Sequence, residues 1–142
     1  MLNETRFRER FELFTKEELM IYCIYNADGS ILGEFKYFLK KYFYGLKCSM
    51  CEITHNSFTK KKEWERKLFN SKLKLKVLHL DEQPESLSKF SNGKTPCVIK
   101  KGQDGYKFVF TKDELEEFNG NVDLFFEALK KTELMSRNSA EK

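Results

Sequence analysis

The side chains best suited to chemistry in this chain lie in one stretch, Cys48-Ser49-Met50-Cys51-Glu52-Ile53-Thr54-His55. Two intervening residues let a pair of sulfurs meet, so a C-x-x-C motif serves a dithiol/disulfide switch. The same spacing lets two thiolates grip one metal ion, and His55 offers a third ligand four residues on. The chain holds four cysteines and two histidines in all. Cys23 stands inside an apolar run and reads as a small core residue. Cys97 directly follows Thr95-Pro96, where packing and function are both open to it. His79 closes a strand-like run beside Asp81 and Glu82, and a bond to a local carboxylate is expected there. Asn26 and Asp28 belong to a turn after the first strand. They are candidates for orienting a polar substrate, because open α/β sheets bind ligands at the carboxyl ends of their strands.

Composition bounds what these residues can serve. A chain of 142 residues, 40% hydrophobic and 34% charged, is long enough for one core and too short for two ordinary domains. Fourteen Phe, six Tyr and one Trp predict an aromatic-rich interior. No apolar run approaches the roughly 20 residues that span a bilayer, and residues 1–10 contain no apolar signal region. A cytoplasmic location without membrane attachment is therefore expected. Thiols stay reduced there, which turns the cysteines toward redox chemistry, metal binding or packing. The net charge of +4 is mild. Lys60, Lys61 and Lys62, then Lys72, Lys74 and Lys76, are interrupted by Glu63 and Glu65 and read as a solvated face. Nucleic acid is not the expected partner, since no dense basic surface or reading element accompanies them. No feature sets an oligomeric state.

The elements that must position the motif follow from hydrophobic rhythm. Residues 1–19 alternate charge with Phe7, Phe11 and Phe14, as in an amphipathic helix or an arm. Residues 20–25 are β-branched and aromatic, the pattern of a buried central strand. Asn26 to Ser30 make a turn, with Asp28 or Ser30 able to cap a helix over 31–44 that Gly45 ends. The cysteine motif is expected in the loop that follows. A helix over 60–70 carries Trp64, Leu68 and Phe69. A strand over 73–80 places Leu73, Leu75, Val77 and His79 on one face, and Pro84 opens a short helix over 84–90. Residues 95–100 and 106–110 form a hairpin around Gly102 and Gly105. Thr111 and Glu114 resemble a capping box. Helices over 112–118 and 121–132 follow. The domain is thus expected over 20–132, between the arm at 1–19 and a polar tail at 133–142.

In order these are β-α-(Cys loop)-α-β-α-β-β-α. A helical crossover between strands implies a parallel pair, and the hairpin adds antiparallel strands. The order resembles the thioredoxin-like superfamily, an α/β fold with a central mixed sheet of about four strands flanked by helices. Thr95-Pro96 before the third strand is the most specific local match, and the resemblance implies a cis peptide bond there, close to the reactive cysteines. The pattern Tyr25-Asn26-Ala27-Asp28-Gly29-Ser30 with Cys48-x-x-Cys51-x-Ile53-Thr54-His55 also resembles a little-studied bacterial family of small thioredoxin-like proteins. That likeness bears on fold rather than activity. In thioredoxins the cysteine pair directly follows the first strand, whereas here it comes one helix later. Fourteen helical residues travel roughly 20 Å. The dozen residues from Leu46 to Phe58 reach about 40 Å if extended, so the motif can return to the proline or stay away from it.

Three functions fit this geometry. In thiol-disulfide exchange with a protein partner, Cys48 attacks, Cys51 resolves and His55 tunes them. Thr95, Pro96, Cys97, Asn26 and Asp28 then shape the substrate groove, and no cofactor is needed. In a zinc-binding module, Cys48, Cys51 and His55 are three ligands of a tetrahedral site, and the fourth is Cys97, a water or a group from another chain. In a non-catalytic adaptor the scaffold alone matters.

Overall fold

The computed structural model describes residues 19–26, 48–55 and 60–140. The expected helix over 31–44, Asp28, and residues 1–18 lie outside them.

Strand β1 (Met20–Ile24) forms where five apolar and β-branched residues run together. The motif itself is helical, not a loop: α1 covers Ser49–Thr54. Helix α2 (Lys62–Asn70) carries Glu63 and Glu65 in its first turn and Lys67 in its last, which complements the helix dipole. It is followed by β2 (Lys74–Leu78), a 3₁₀ turn at Leu80–Glu82, and α3 (Glu85–Ser91). The hairpin is β3 (Cys97–Gly102) and β4 (Gly105–Phe110); β3 begins and ends two residues later than expected, and β4 begins one residue earlier. Helix α4 (Lys112–Glu117) opens on the expected capping box. Thr111 Oγ1 accepts from the Glu114 amide at 3.4 Å, and Glu114 Oε2 accepts from the Thr111 amide at 2.7 Å. Helix α5 (Val122–Ala140) continues eight residues past the expected end at 132.

The protein is α/β, with one mixed sheet of four strands in the order β2-β1-β3-β4. β1 and β2 are parallel, with Met20 opposite Lys74 and Ile24 opposite Leu78. β3 is antiparallel to both β1 and β4. Alternation along β1 divides the interior into two cores. Ile21, Cys23 and Tyr25 face α1, α2, α4 and α5, where they meet Met50, Ile53, Trp64, Leu115, Phe125 and Leu129. Tyr22 and Ile24 face α3, with Leu87, Cys97, Ile99 and Phe108. Among the described residues, the first core holds more of the aromatic side chains than the second. Trp64 lies 5.1 Å from Phe126 and 5.6 Å from Phe125 between ring centroids, and Phe125 also meets Phe110 and Phe118.

The six residues of α1 would not hold a helix alone, since nucleation costs more than so short a segment returns. Packing holds it. Met50 and Ile53, three apart on one face, are both fully buried. The turn between α4 and α5 presses on the opposite side. Gly120 has a φ of 74° and approaches so closely that a Cβ there would stand 3.3 Å from the Glu52 carbonyl oxygen. Lys61 Nζ clamps this turn by donating to the Gly120 carbonyl at 2.7 Å.

Candidate functional site

Cys48 is the N-cap of α1 and Cys51 lies one turn into it. Their Cα atoms are 5.2 Å apart, and the two sulfurs are at disulfide-bonding distance. The Cys51 amide donates to Cys48 Sγ at 3.4 Å, so a sulfur does here what a Ser or Asp oxygen does at most helix starts. Cys48 is only 6% exposed and belongs to the core, whereas Cys51 sits at its edge, partly open.

The other end of α1 is tied to the sheet. Thr54, fully buried, shares a 2.7 Å hydrogen bond with the Tyr25 hydroxyl and another of 2.7 Å with His55 Nδ1. Its oxygen also lies 3.2 Å from the Met50 carbonyl and 3.4 Å from that of Cys51. One hydroxyl proton serves only one of the acceptors, so these contacts compete. His55 ends the helix in an extended conformation, its amide donating to the Cys51 carbonyl at 2.8 Å. It then bridges to Lys60, which brings the chain back toward α2.

Tyr25 follows β1, and its amide donates to the Leu78 carbonyl at the end of β2 at 2.9 Å. Because β1 and β2 are parallel, His79 lands beside it, with ring centroids 4.9 Å apart. His55 packs edge-on against the same tyrosine at 6.0 Å. Both histidines of the chain therefore converge on Tyr25. The Glu82 carboxylate accepts from the His79 amide and from His79 Nδ1, both at 2.8 Å. A carboxylate only accepts, so Nδ1 carries the proton. The bond to a local carboxylate expected for His79 is present.

Electrostatics follow from burial. His55 is held below its usual range by desolvation first, then by the nearby Lys60 and His79 charges, so it favours the neutral form. The Tyr25 hydroxyl is raised by burial, which its hydrogen bond to Thr54 offsets only in part. Glu82 is lowered by the hydrogen bonds from His79. Burial pushes the Cys97 thiol up to about 12, and Cys23 is raised further by its complete burial.

The expected site residues are thus partly assembled. Cys48, Cys51 and His55 share one short helix. Asn26 follows Tyr25 and accepts from the Thr95 hydroxyl at 2.9 Å. The Thr95–Pro96 peptide bond is cis. Thr54, at the C-terminal end of α1, is hydrogen-bonded to Tyr25, whose chain neighbour Asn26 is bonded to Thr95, so that end of the helix meets the sheet where the proline lies. Cys97 has not joined it. β3 turns that thiol into the second core, on the face of the sheet opposite Cys48. Among the described residues, no three or more His, Cys, Asp or Glu side chains are grouped to hold a metal ion. None of the described helices is long and apolar enough to cross a membrane. Tyr25 and Thr54 were not anticipated as site residues. The signal for Tyr25 was a phenol in an apolar strand, which needs a hydrogen-bond partner when buried.

Compared with protein-family models, curated proteins and solved structures, the chain matches none.

Proposed function

We propose that this chain is a thioredoxin-like thiol-disulfide redox protein whose Cys48–Cys51 pair cycles between disulfide and dithiol in exchange with a protein partner. One observation carries the reading: the two sulfurs lie at bonding distance within a single helical turn. A parallel β1–β2 pair extended by an antiparallel hairpin supports the resemblance on which it rests. Asn26, Thr95 and Pro96 form the adjoining rim for an extended substrate segment. Cys97, buried and with a raised pKa, takes no part in exchange. His55, kept neutral, orients the end of the cysteine helix through Thr54 rather than acting as a fixed cation beside the sulfurs. No resident cofactor is required, since the electrons pass between sulfurs.

The test is catalysed reduction of a protein disulfide by dithiothreitol, with and without the chain. Acceleration that disappears in Cys48→Ser and Cys51→Ser, and survives in Cys97→Ser, is expected. Equal rates with wild type and with the double variant Cys48→Ser/Cys51→Ser would overturn the proposal.

A further inference from the structure

We propose that the order of attack in this motif is inverted: Cys51 forms the mixed disulfide with the partner, and Cys48 is the leaving and resolving sulfur. This rests on the redox reading above and assigns the roles within it. Cys48 comes first in the chain and by position would be the attacking thiol. The fold gives it the opposite surroundings. It packs among Ile21, Met50, Ile53 and Trp64, whereas Cys51 stands at the margin of that core with part of its surface open. An incoming sulfur needs access to the sulfur it attacks, and Cys51, partly exposed, offers more of it than Cys48, which is 6% exposed.

The second observation concerns charge. When the S–S bond breaks toward Cys48, the electron pair comes to rest on a sulfur that already accepts the Cys51 amide at 3.4 Å. A thiolate accepts such a bond better than a neutral sulfur does, and a thiol stabilised as thiolate leaves faster. Thr54 and Tyr25 hold the far end of α1 against the sheet, so the amide stays aimed at Cys48 while Cys51 is substituted.

A thiolate of a partner dithiol bonds to Cys51 Sγ, the Cys48–Cys51 bond breaks, and its electron pair remains on Cys48 Sγ. The partner's second thiol loses its proton and attacks the partner sulfur of the mixed disulfide. This forms the partner's own disulfide and releases Cys51 as a thiolate. The two protons carried by the partner dithiol end on the two cysteines or in water. The partner is oxidised by two electrons and the chain is reduced by two.

The experiment uses the single variants Cys48→Ser and Cys51→Ser, each reduced and then exposed to glutathione disulfide. Serine retains an N-cap acceptor at position 48, so both variants are expected to fold, and Cys48→Ala and Cys51→Ala serve as a second pair. The mixed disulfide is followed by intact mass and located by peptide mass. Cys48→Ser is expected to gain one glutathione at Cys51 about tenfold faster than Cys51→Ser gains one at Cys48. Equal rates, or faster modification of Cys48, would overturn the inverted order and leave the redox proposal standing. Reduced wild-type protein is the control. If glutathione disulfide does not convert it to the internal Cys48–Cys51 disulfide, the redox reading falls and the inversion with it.

Discussion

Tyr25 and Thr54 make an unequal pair, and the inequality has a measurable consequence. In Thr54→Val the shape is nearly kept, but the Tyr25 hydroxyl loses its 2.7 Å partner and retains only a 3.4 Å contact to His55 Nδ1. Tyr25 is 3% exposed, so water does not replace what is lost. Leaving a buried hydroxyl unsatisfied costs about 1–3 kcal/mol, and the middle of that range, about 2, is expected. In Tyr25→Phe the survivor is Thr54, which keeps His55 Nδ1 at 2.7 Å and the Met50 carbonyl at 3.2 Å. Only one hydrogen bond goes, worth about 1 kcal/mol. The double variant buries no orphaned hydroxyl and should cost no more than Thr54→Val alone. The cycle then shows a coupling of about 1 kcal/mol. Urea unfolding at neutral pH, with unchanged slopes, measures all four proteins. Costs that simply add, or a larger loss for Tyr25→Phe than for Thr54→Val, would refute the hydrogen-bond assignment at the end of α1.

Three further outcomes follow from the same contacts. Gly120→Ala combines a left-handed backbone with a Cβ pressed to 3.3 Å from the Glu52 carbonyl, and should destabilise the protein by about 1–2 kcal/mol in the same urea assay. If it is neutral, the α4–α5 turn does not brace the cysteine helix. His55 is depressed from 6.5 in the folded chain, so between its folded and unfolded values the unfolded chain binds more protons. Stability is therefore full above about pH 6.5 and falls as pH drops through that value toward the folded one. His55→Gln should flatten this slope in thermal melts, and an unchanged slope would contradict the burial argument. Cys23 and Cys97, both fully buried with raised pKa values, should resist iodoacetamide in the native protein and react only on unfolding. Rapid native labelling of either would count against the two-core description.

Much of the fold was legible because its determinants are local. The apolar run of β1, the alternation of β2, the glycines of the hairpin and the Thr111–Glu114 box each announce an element within a few residues. The cysteine helix did not. Its apolar positions are only Met50 and Ile53, too few to show a period, and its N-cap is a sulfur rather than a familiar oxygen. Partners distant in sequence, Gly120 and Lys61 among them, decide that it is helical. The same holds for the site. Cys48, Cys51 and His55 declare themselves by type and spacing, and His79 by its neighbouring carboxylate. That Tyr25 receives His79 depends on β1 and β2 being parallel and in register, and that it receives His55 depends on where α1 packs, both properties of the assembled fold. Cys97 illustrates the reverse. Adjacent to Pro96 in sequence, it is sent to the far face by the alternation of β3, which a one-residue offset would have reversed.

The central claim is that Cys48 and Cys51 form a reversible redox couple. The most direct measurement is equilibration of the folded protein across a series of reduced and oxidised dithiothreitol ratios, followed by acid quenching, alkylation and peptide mass analysis. One two-electron transition is expected, in which Cys48 and Cys51 change together while Cys23 and Cys97 remain thiols throughout. Cys48 and Cys51 remaining thiols at every ratio, or pairing with Cys23 or Cys97 instead of each other, would contradict it.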